Sequence, residues 1–258
     1  MSSPVLTITP VTGIPFIQPG DDLAEIIFQS LTRMNLDLVD GDILVVTSKI
    51  VSKAEGRQVN LVEVQPSQAA IQLAGLAGKD PRLVELILGE SSLVLRCKAG
   101  TIIVEHRLGF VCANAGIDHS NVCGGESQIE DWVLLLPEDP QASAHRLRHC
   151  LEERSAARLG VLIIDSHGRA WRLGTVGMAI GLSGMPGLVD LRGVPDLFGY
   201  NLQITQVGAA DELAAAASLM IGQAAEATPT AHVRGFPYAL RDGSLRELLR
   251  PREEDLFR

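Results

Sequence analysis

The sequence predicts an α+β fold, and three observations carry that expectation. Strand and helix signals alternate irregularly along the 258 residues, without the steady strand–helix rhythm of a doubly wound sheet. Two strand signals, near 92–97 and 101–105, follow each other across Lys98–Ala99–Gly100, a link short enough for a hairpin. Aromatic residues are scarce at 4% against 46% hydrophobic residues overall, so the core must be built of Leu, Val, Ile and Ala.

Taken in order, the first strand signal falls near 5–9 and the first helix near 21–34. An Asp40–Gly41 turn then launches a β-branched strand over 42–47. Beyond it, hydroxyls and lysines alternate through Ser48, Lys49, Ser52 and Lys53. If the chain stays extended there, residues 49, 51 and 53 line one face, with Arg57 further on. Solvated basic residues would look the same, but in a chain of net charge −9 three close cations suggest a local anion site. Helices are expected near 67–77 and 81–89, and a strand near 132–136. The best-marked helix is 141–154, where Asp139 can cap the first turn and Pro140 sits where a missing N–H costs nothing. Further strands are expected at 159–164, 175–181 and 201–207. A helix follows over 209–222, whose first turn carries Asp211 and Glu212, as the helix macrodipole favours.

Two segments concentrate polar chemistry. From Cys112 to Val122 the chain places Asn114, Asp118, Ser120 and Asn121 close together, with Ile117 and Val122 alongside. Asp118 and Asn121 are three apart, so a coiled backbone would project them the same way, offering a metal a hard oxygen and a nucleotide an amide. An ordinary Asx-rich loop is the rival reading. The aliphatic run ending at Ile164 reads as a buried strand that runs straight into Asp165–Ser166–His167–Gly168–Arg169. A carboxylate for a divalent cation, a hydroxyl for a second position and an arginine for phosphate oxygens make chemical sense there. A strand leaving the core through an Asp–Ser turn would read alike.

Composition removes several classes. The cysteines at 97, 112, 123 and 150 show no Cys-x-x-Cys spacing and the N-terminus does not resemble a signal peptide, so reduced thiols and a cytoplasmic location are expected. No apolar run approaches the roughly 20 residues of a membrane span. A pI near 5.2 with scattered Lys and Arg argues against nucleic acid. His145 and His149 have zinc-pair spacing, but two arginines lie between them and the Glu of a zinc hydrolase is missing, so a solvated helix face is expected. Cys112 and Cys123 flank the Asp118 loop without a partnering His–Asn pair, which disfavours a nucleophile. No Gly-Lys-Ser/Thr phosphate loop occurs anywhere.

An ordered set of motifs carries a resemblance. It begins with Gly13–Ile14–Pro15–Phe16–Ile17 and Pro19–Gly20–Asp21–Asp22–Leu23, then Ser52–Lys53–Ala54–Glu55–Gly56–Arg57. Asn114–Ala115–Gly116–Ile117–Asp118 with Ser120–Asn121–Val122 follows, then Leu135–Leu136–Pro137 with Asp139–Pro140, then Asp165–Ser166–His167–Gly168–Arg169. Gly174–Thr175–Val176–Gly177 with Ala179–Ile180–Gly181, Asp196–Leu197–Phe198–Gly199 and Ala210–Asp211–Glu212 complete it. Across residues 10–250 the chain resembles the coenzyme F420-0:L-glutamate ligase family.

The resemblance implies a two-lobed α+β protomer with mixed and antiparallel sheets, flanking helices and a strand-rich homodimer. Residues 1–100 with 200–258 would form a nucleotide-binding lobe, and 101–199 a second lobe carrying metal-ligand segments. It also implies that GTP phosphorylates the terminal carboxylate of F420-0 and that the amine of L-glutamate displaces phosphate from the acyl phosphate. Two divalent cations, Mg²⁺ or Mn²⁺, and K⁺ would assist. Carried over by position, Asp118 and Asp165 hold the first metal, and Ser166 and Gln223 bear on the second. Asp118, Asp165 and Arg169 form the catalytic set. Arg169 would steady either the transferring phosphoryl or the acceptor's phosphodiester. Ile14, Pro15, Phe16, Ile17, Ser48, Lys49, Lys53, Asn121, Gly222, Gln223 and Glu226 face the nucleotide. One departure stands out. Gln223 occupies the position where the family pattern leads us to expect an acid, and an amide oxygen ligates without contributing charge; Glu226 is the candidate to substitute. The alternatives are a ligase of the same scaffold for another acid, and a nucleotide-binding homologue without catalysis.

Overall fold

The computed structural model describes residues 5–122 and 131–255. Cys123 therefore lies outside the described residues. The architecture is α+β, with one mixed sheet, smaller antiparallel sheets and flanking helices.

The central sheet has five strands: β1 (Thr7–Pro10), β12 (Thr230–Arg234), β2 (Ile43–Thr47), β8 (Gly160–Arg169) and β9 (Arg172–Ser183), in that order. Only β2 and β8 run parallel; the other neighbours are antiparallel. Both of these inner strands are nearly unbroken aliphatic runs because both of their faces are covered. Leu44, Val46, Val161 and Ile163 point into one core, with Ile27 and Leu31 of α1 (Leu23–Arg33) and Leu147 and Leu151 of α5 (Pro140–Ser155). Ile43, Val45, Leu162 and Ile164 point into the other, against Leu213, Ala214 and Ala217 of α6 (Ala209–Ile221). The sheet draws β1, β2 and β12 from the sequence ranges assigned to one lobe and β8 and β9 from the range assigned to the other.

Two glycines bring helices against β9 backbone to backbone. A methyl group at Gly181 would lie 2.4 Å from the carbonyl oxygen of Pro140, and one at Gly177 would lie 2.5 Å from that of Ala214. A register shift opposite Ile163 and Ile164 bulges β9 just before the strand pair reaches Asp165. At the bulge, Asp211 of α6 accepts the amide hydrogen of Ala179 at 2.9 Å. Asp139 caps α5 by accepting from Ala142, and Pro140 fills the first helical position, as the sequence predicts.

The hairpin expected at Lys98–Ala99–Gly100 joins β4 (Ser91–Lys98) to β5 (Thr101–His106), and β6 (Val111–Ala113) completes a three-stranded sheet. Helices α3 (Gln68–Ala77) and α4 (Pro81–Gly89) precede it. A two-stranded ribbon pairs β3 (Gln58–Asn60) with β7 (Trp132–Leu134). Another pairs β10 (Val189–Asp190) with β11 (Gln206–Val207).

Two local expectations need correction. The basic segment after β2 is not extended: Ser48–Ala54 forms a seven-residue helix, α2, because the chain turns as soon as Thr47 leaves the sheet. Lys49 and Lys53 still share a side, through i,i+4 helical spacing instead of strand alternation. The strand expected over 201–207 contracts to Gln206–Val207. Upstream, Asp196 accepts from the backbone of Phe198 and Tyr200 and folds that stretch into turns.

Candidate functional site

Four segments converge at the carboxyl end of the parallel strand pair. The register aligns Thr47 with Ile164, so the first turn of α2 leaves the sheet beside Asp165, which stays in β8 opposite Met178. Ser48 donates its hydroxyl to Asp165 Oδ1 at 2.7 Å. Lys49 reaches across to the 114–122 loop, its Nζ 2.9 Å from Ser120 Oγ and 3.4 Å from Asp118 Oδ2.

That loop is a coil of left-handed residues. Asn114, Ala115 and Gly116 all have φ between 50° and 66°, and Asn121 repeats the conformation at 58°. Ala115 has no side-chain means of favouring it, and such a residue costs of order 1–2 kcal/mol. The coil is held because Asn114 Oδ1 accepts from Ile102 and Leu136 packs where a side chain at Gly116 would stand. Asp118 then exchanges both backbone hydrogen bonds with Leu134 of β7, at 3.0 and 2.8 Å.

Strand alternation splits the residues that follow Ile164. Asp165 and His167 point to the face holding Phe110 and Cys112, whereas Ser166 points to the α6 face. His167 Nε2 lies 3.1 Å from Asp165 Oδ2. On the other face Ser166 donates to Gln223 Oε1 at 2.8 Å, and Gln223 donates to Ser218 at 2.9 Å. Asn121 closes the ring of segments by donating to the carbonyl of Ala224 at 3.1 Å.

The two carboxylates differ in character. Burial raises the pKa of Asp118, and the negative charge of Asp165 pushes the same way against Lys49. Burial works to raise Asp165 too, but the His167 ring, the Ser48 hydroxyl and the amide of Ser166 hold it below the ordinary carboxylate value. Cys112 has its thiol pushed up to about 12 by burial and by Asp165, so it stays protonated and is no nucleophile.

The donor set suits a hard divalent cation. Two interacting carboxylates gain from a shared positive charge, and the Ser166 hydroxyl and Gln223 amide supply neutral oxygens. Among the described residues no cluster of three or more His, Cys, Asp or Glu side chains is arranged around a metal position, so the neutral oxygens matter. Glu226 is engaged elsewhere: its carboxylate accepts the amide of Ala224 at 2.7 Å and folds back over Gly222, whose φ is 80°.

The remaining expected residues are placed as follows. Ile14 is half-buried and Ile17 buried, while Pro15 and Phe16 project outward between them. Lys53 lies one turn along α2 from Lys49. Arg169 sits at the far end of β8, half-buried, with Nη1 3.4 Å from the carbonyl of Gly174, and is not drawn into the Asp118–Asp165 cluster. His145 and His149 lie on the exposed face of α5, His149 3.4 Å from Glu153. A depression of about 220 Å³ lined by Asp22, Val51, Glu55, Ser143, Arg146 and Cys150 contains none of these site residues. Sequence reasoning assigned no role to His167 or Ser120. The i,i+2 spacing of Asp165 and His167 on a strand was the available signal for the first.

The family described as F420-0:Gamma-glutamyl ligase matches residues 12–235. The chain is 48% identical over 250 residues to the coenzyme F420:L-glutamate ligase of Methanothermobacter thermautotrophicus, covering 96% of this chain and 97% of that one. It is 45% identical to the protein of that name from Methanopyrus kandleri, over 99% of this chain and 98% of the other. The Archaeoglobus fulgidus protein of that name is 43% identical, over 96% of this chain and 95% of its own.

Proposed function

The chain belongs to the F420-0:gamma-glutamyl ligase family and is a ligase, and from that premise we propose that it joins L-glutamate to the terminal carboxylate of coenzyme F420-0 at the expense of GTP. The acceptor carboxylate attacks the γ-phosphorus, GDP leaves, the glutamate amine attacks the resulting acyl phosphate, and phosphate departs. The single observation that carries the reading is the meeting of Asp118, Asp165, Ser48 and Lys49 from distant segments where β2 ends.

Each group has a task in this scheme. Lys49 and Lys53 meet triphosphate oxygens with charge-assisted bonds, and Asn121 presents an amide held by the Ala224 turn. Within the Ile14, Pro15, Phe16 and Ile17 segment, Ile17 anchors the chain in the core and Ile14, Pro15 and Phe16 offer an apolar edge for the base. Divalent cations, Mg²⁺ or Mn²⁺, held by Asp118 with Asp165 and by Ser166 with Gln223, would offset the repulsion between carboxylate and triphosphate. The working unit is a homodimer; support comes from the apolar side chains of Trp171, Leu173, Leu197, Phe198 and Ile204, each at least 87% exposed on the protomer.

Mass spectrometry of F420-0 incubated with the protein, GTP, Mn²⁺ and L-glutamate tests the reaction. One added glutamyl residue, with GDP and phosphate released in equal amounts, is expected. Turnover of a different acid in place of F420-0 would move the protein to another substrate. No nucleotide turnover with any acceptor would make it a binding homologue.

A further inference from the structure

We infer that His167 is a positioning residue that fixes the carboxylate of Asp165 for cation binding. Ser48 donates to Oδ1 at 2.7 Å and His167 Nε2 stands 3.1 Å from Oδ2, so each carboxylate oxygen has its own close neighbour. Each oxygen keeps a lone pair for a cation shared with Asp118. The ring is only 5% exposed, and its buried Nε2 makes no aligned hydrogen bond among the described residues; the carboxylate it stands against is that of Asp165, at 3.1 Å.

His167 is itself held by a column of rings. Its centroid lies 5.1 Å from that of Phe110, and Phe110 stacks on His106 at 5.1 Å and 11°. His106 is fully buried; its Nδ1 accepts the amide of Leu108 and its Nε2 lies 3.6 Å from Glu90. Glu90 is in turn gripped by Arg57 at 2.8 Å and Arg107 at 2.9 Å. Burial pushes the His106 ring down to about 4, so the column stays uncharged at that end near neutral pH. The rigid end of the column is thus an ion-pair network, and its working end is the carboxylate. Partners of this kind, which orient a ligand without touching the metal, are worth about 10- to 100-fold in metal affinity.

The inference rests on the reading of Asp165 as a metal ligand, and the test separates the two. Mn²⁺ binding to the nucleotide-free protein is measured by electron paramagnetic resonance for the wild type, Asp165→Asn, His167→Phe and His167→Gln, with the melting temperature of each. His167→Phe keeps a ring against Phe110 but loses the nitrogen. It is expected to weaken Mn²⁺ binding about 10- to 100-fold at a near-native melting temperature. His167→Gln, which retains an N–H donor, is expected to recover most of the loss. Native affinity in His167→Phe, with affinity lost in Asp165→Asn, would overturn the role of His167 alone. Mn²⁺ binding that is absent in the wild type, or unchanged in Asp165→Asn, would take down the metal-site reading and this inference with it. Should His167→Phe fail to fold, His167→Leu decides in its place.

Discussion

Ser48 and Asp165 are 117 positions apart in sequence yet share a 2.7 Å hydrogen bond, because the parallel register of β2 and β8 pairs Thr47, the last residue of β2, with Ile164. Ser48 is 2% exposed, so no water replaces its hydroxyl when it is removed. Hydrogen bonds to charged groups contribute about 1.5–3 kcal/mol. Ser48→Ala is expected to lower ligase turnover about tenfold or more while the far-UV circular dichroism spectrum stays native. Unchanged steady-state rates would show that the carboxylate does not depend on this bond.

Asp118→Asn should abolish ligation without weakening the fold. Its folded pKa is raised, so the ionised form is the one the fold disfavours, and at pH values above the ordinary carboxylate value that carboxylate costs stability. The neutral amide removes that cost. The expected result is a melting temperature at pH 7 equal to or above wild type, with no product at saturating Mn²⁺. A lower melting temperature would mean that Asp118 is a structural anchor.

Asp42 gives the opposite pH signature. It is 1% exposed and paired with Arg234 at 2.7 Å and His232 at 2.8 Å, and despite burial its pKa is driven far below the usual value. A depressed folded pKa contributes stability that is complete above the unfolded value, near 4, and is lost as pH falls below it. Asp42→Asn should therefore cost about 3 kcal/mol or more at pH 7, by leaving buried partners unpaired, and progressively less below pH 4. Urea unfolding of both proteins at pH 7 and pH 3 measures the difference. An equal gap at both pH values would contradict the assignment.

Lys53→Ala should weaken GTP binding about tenfold to a hundredfold, the loss of one charge-assisted contact to phosphate, with little change in the melting temperature of the ligand-free protein. Lys49→Ala should do more, because Lys49 also lowers the pKa of Asp118. Its loss should shift the acid limb of the ligation rate to higher pH. Calorimetric titration and a pH–rate profile check the two variants. Equal GTP affinity in Lys53→Ala would place that residue outside the nucleotide site.

Legibility in the sequence followed from how local each signal was. Asp139 and Pro140 announce α5, and the aliphatic run before Asp165 announces β8, because cap chemistry and two-sided burial are written in adjacent residues. Helix α2 was illegible: its seven residues Ser48–Ala54 mix β-branched and polar side chains over barely two turns, too short for periodicity to separate helix from strand. Strand β12 escaped notice because His232 and Arg234 are polar; pairing with Asp42 makes the sheet interior acceptable to His232, while Arg234 reaches Asp42 from the exposed end of the strand. The Asp165–Ser166 motif was visible, but not that the two side chains part to opposite faces, one toward Ser48 and His167 and the other toward Gln223.

Gly177 stands opposite Ser166 in the β8–β9 register and leaves no side chain between β9 and the backbone of α6. The gap between Ser166 and Gln223 is consequently gauged by peptide groups, which are identical in every protein, and not by the bulk of whichever residues fill the core. Exchanges among Leu213, Ala217 and their neighbours retune stability without resetting that gap, as a spacer machined into the frame outlasts changes of upholstery. A single methyl at Gly177 acts on the gauge itself. Gly177→Ala would push α6 outward and part Ser166 from Gln223, with no residue of the candidate site altered.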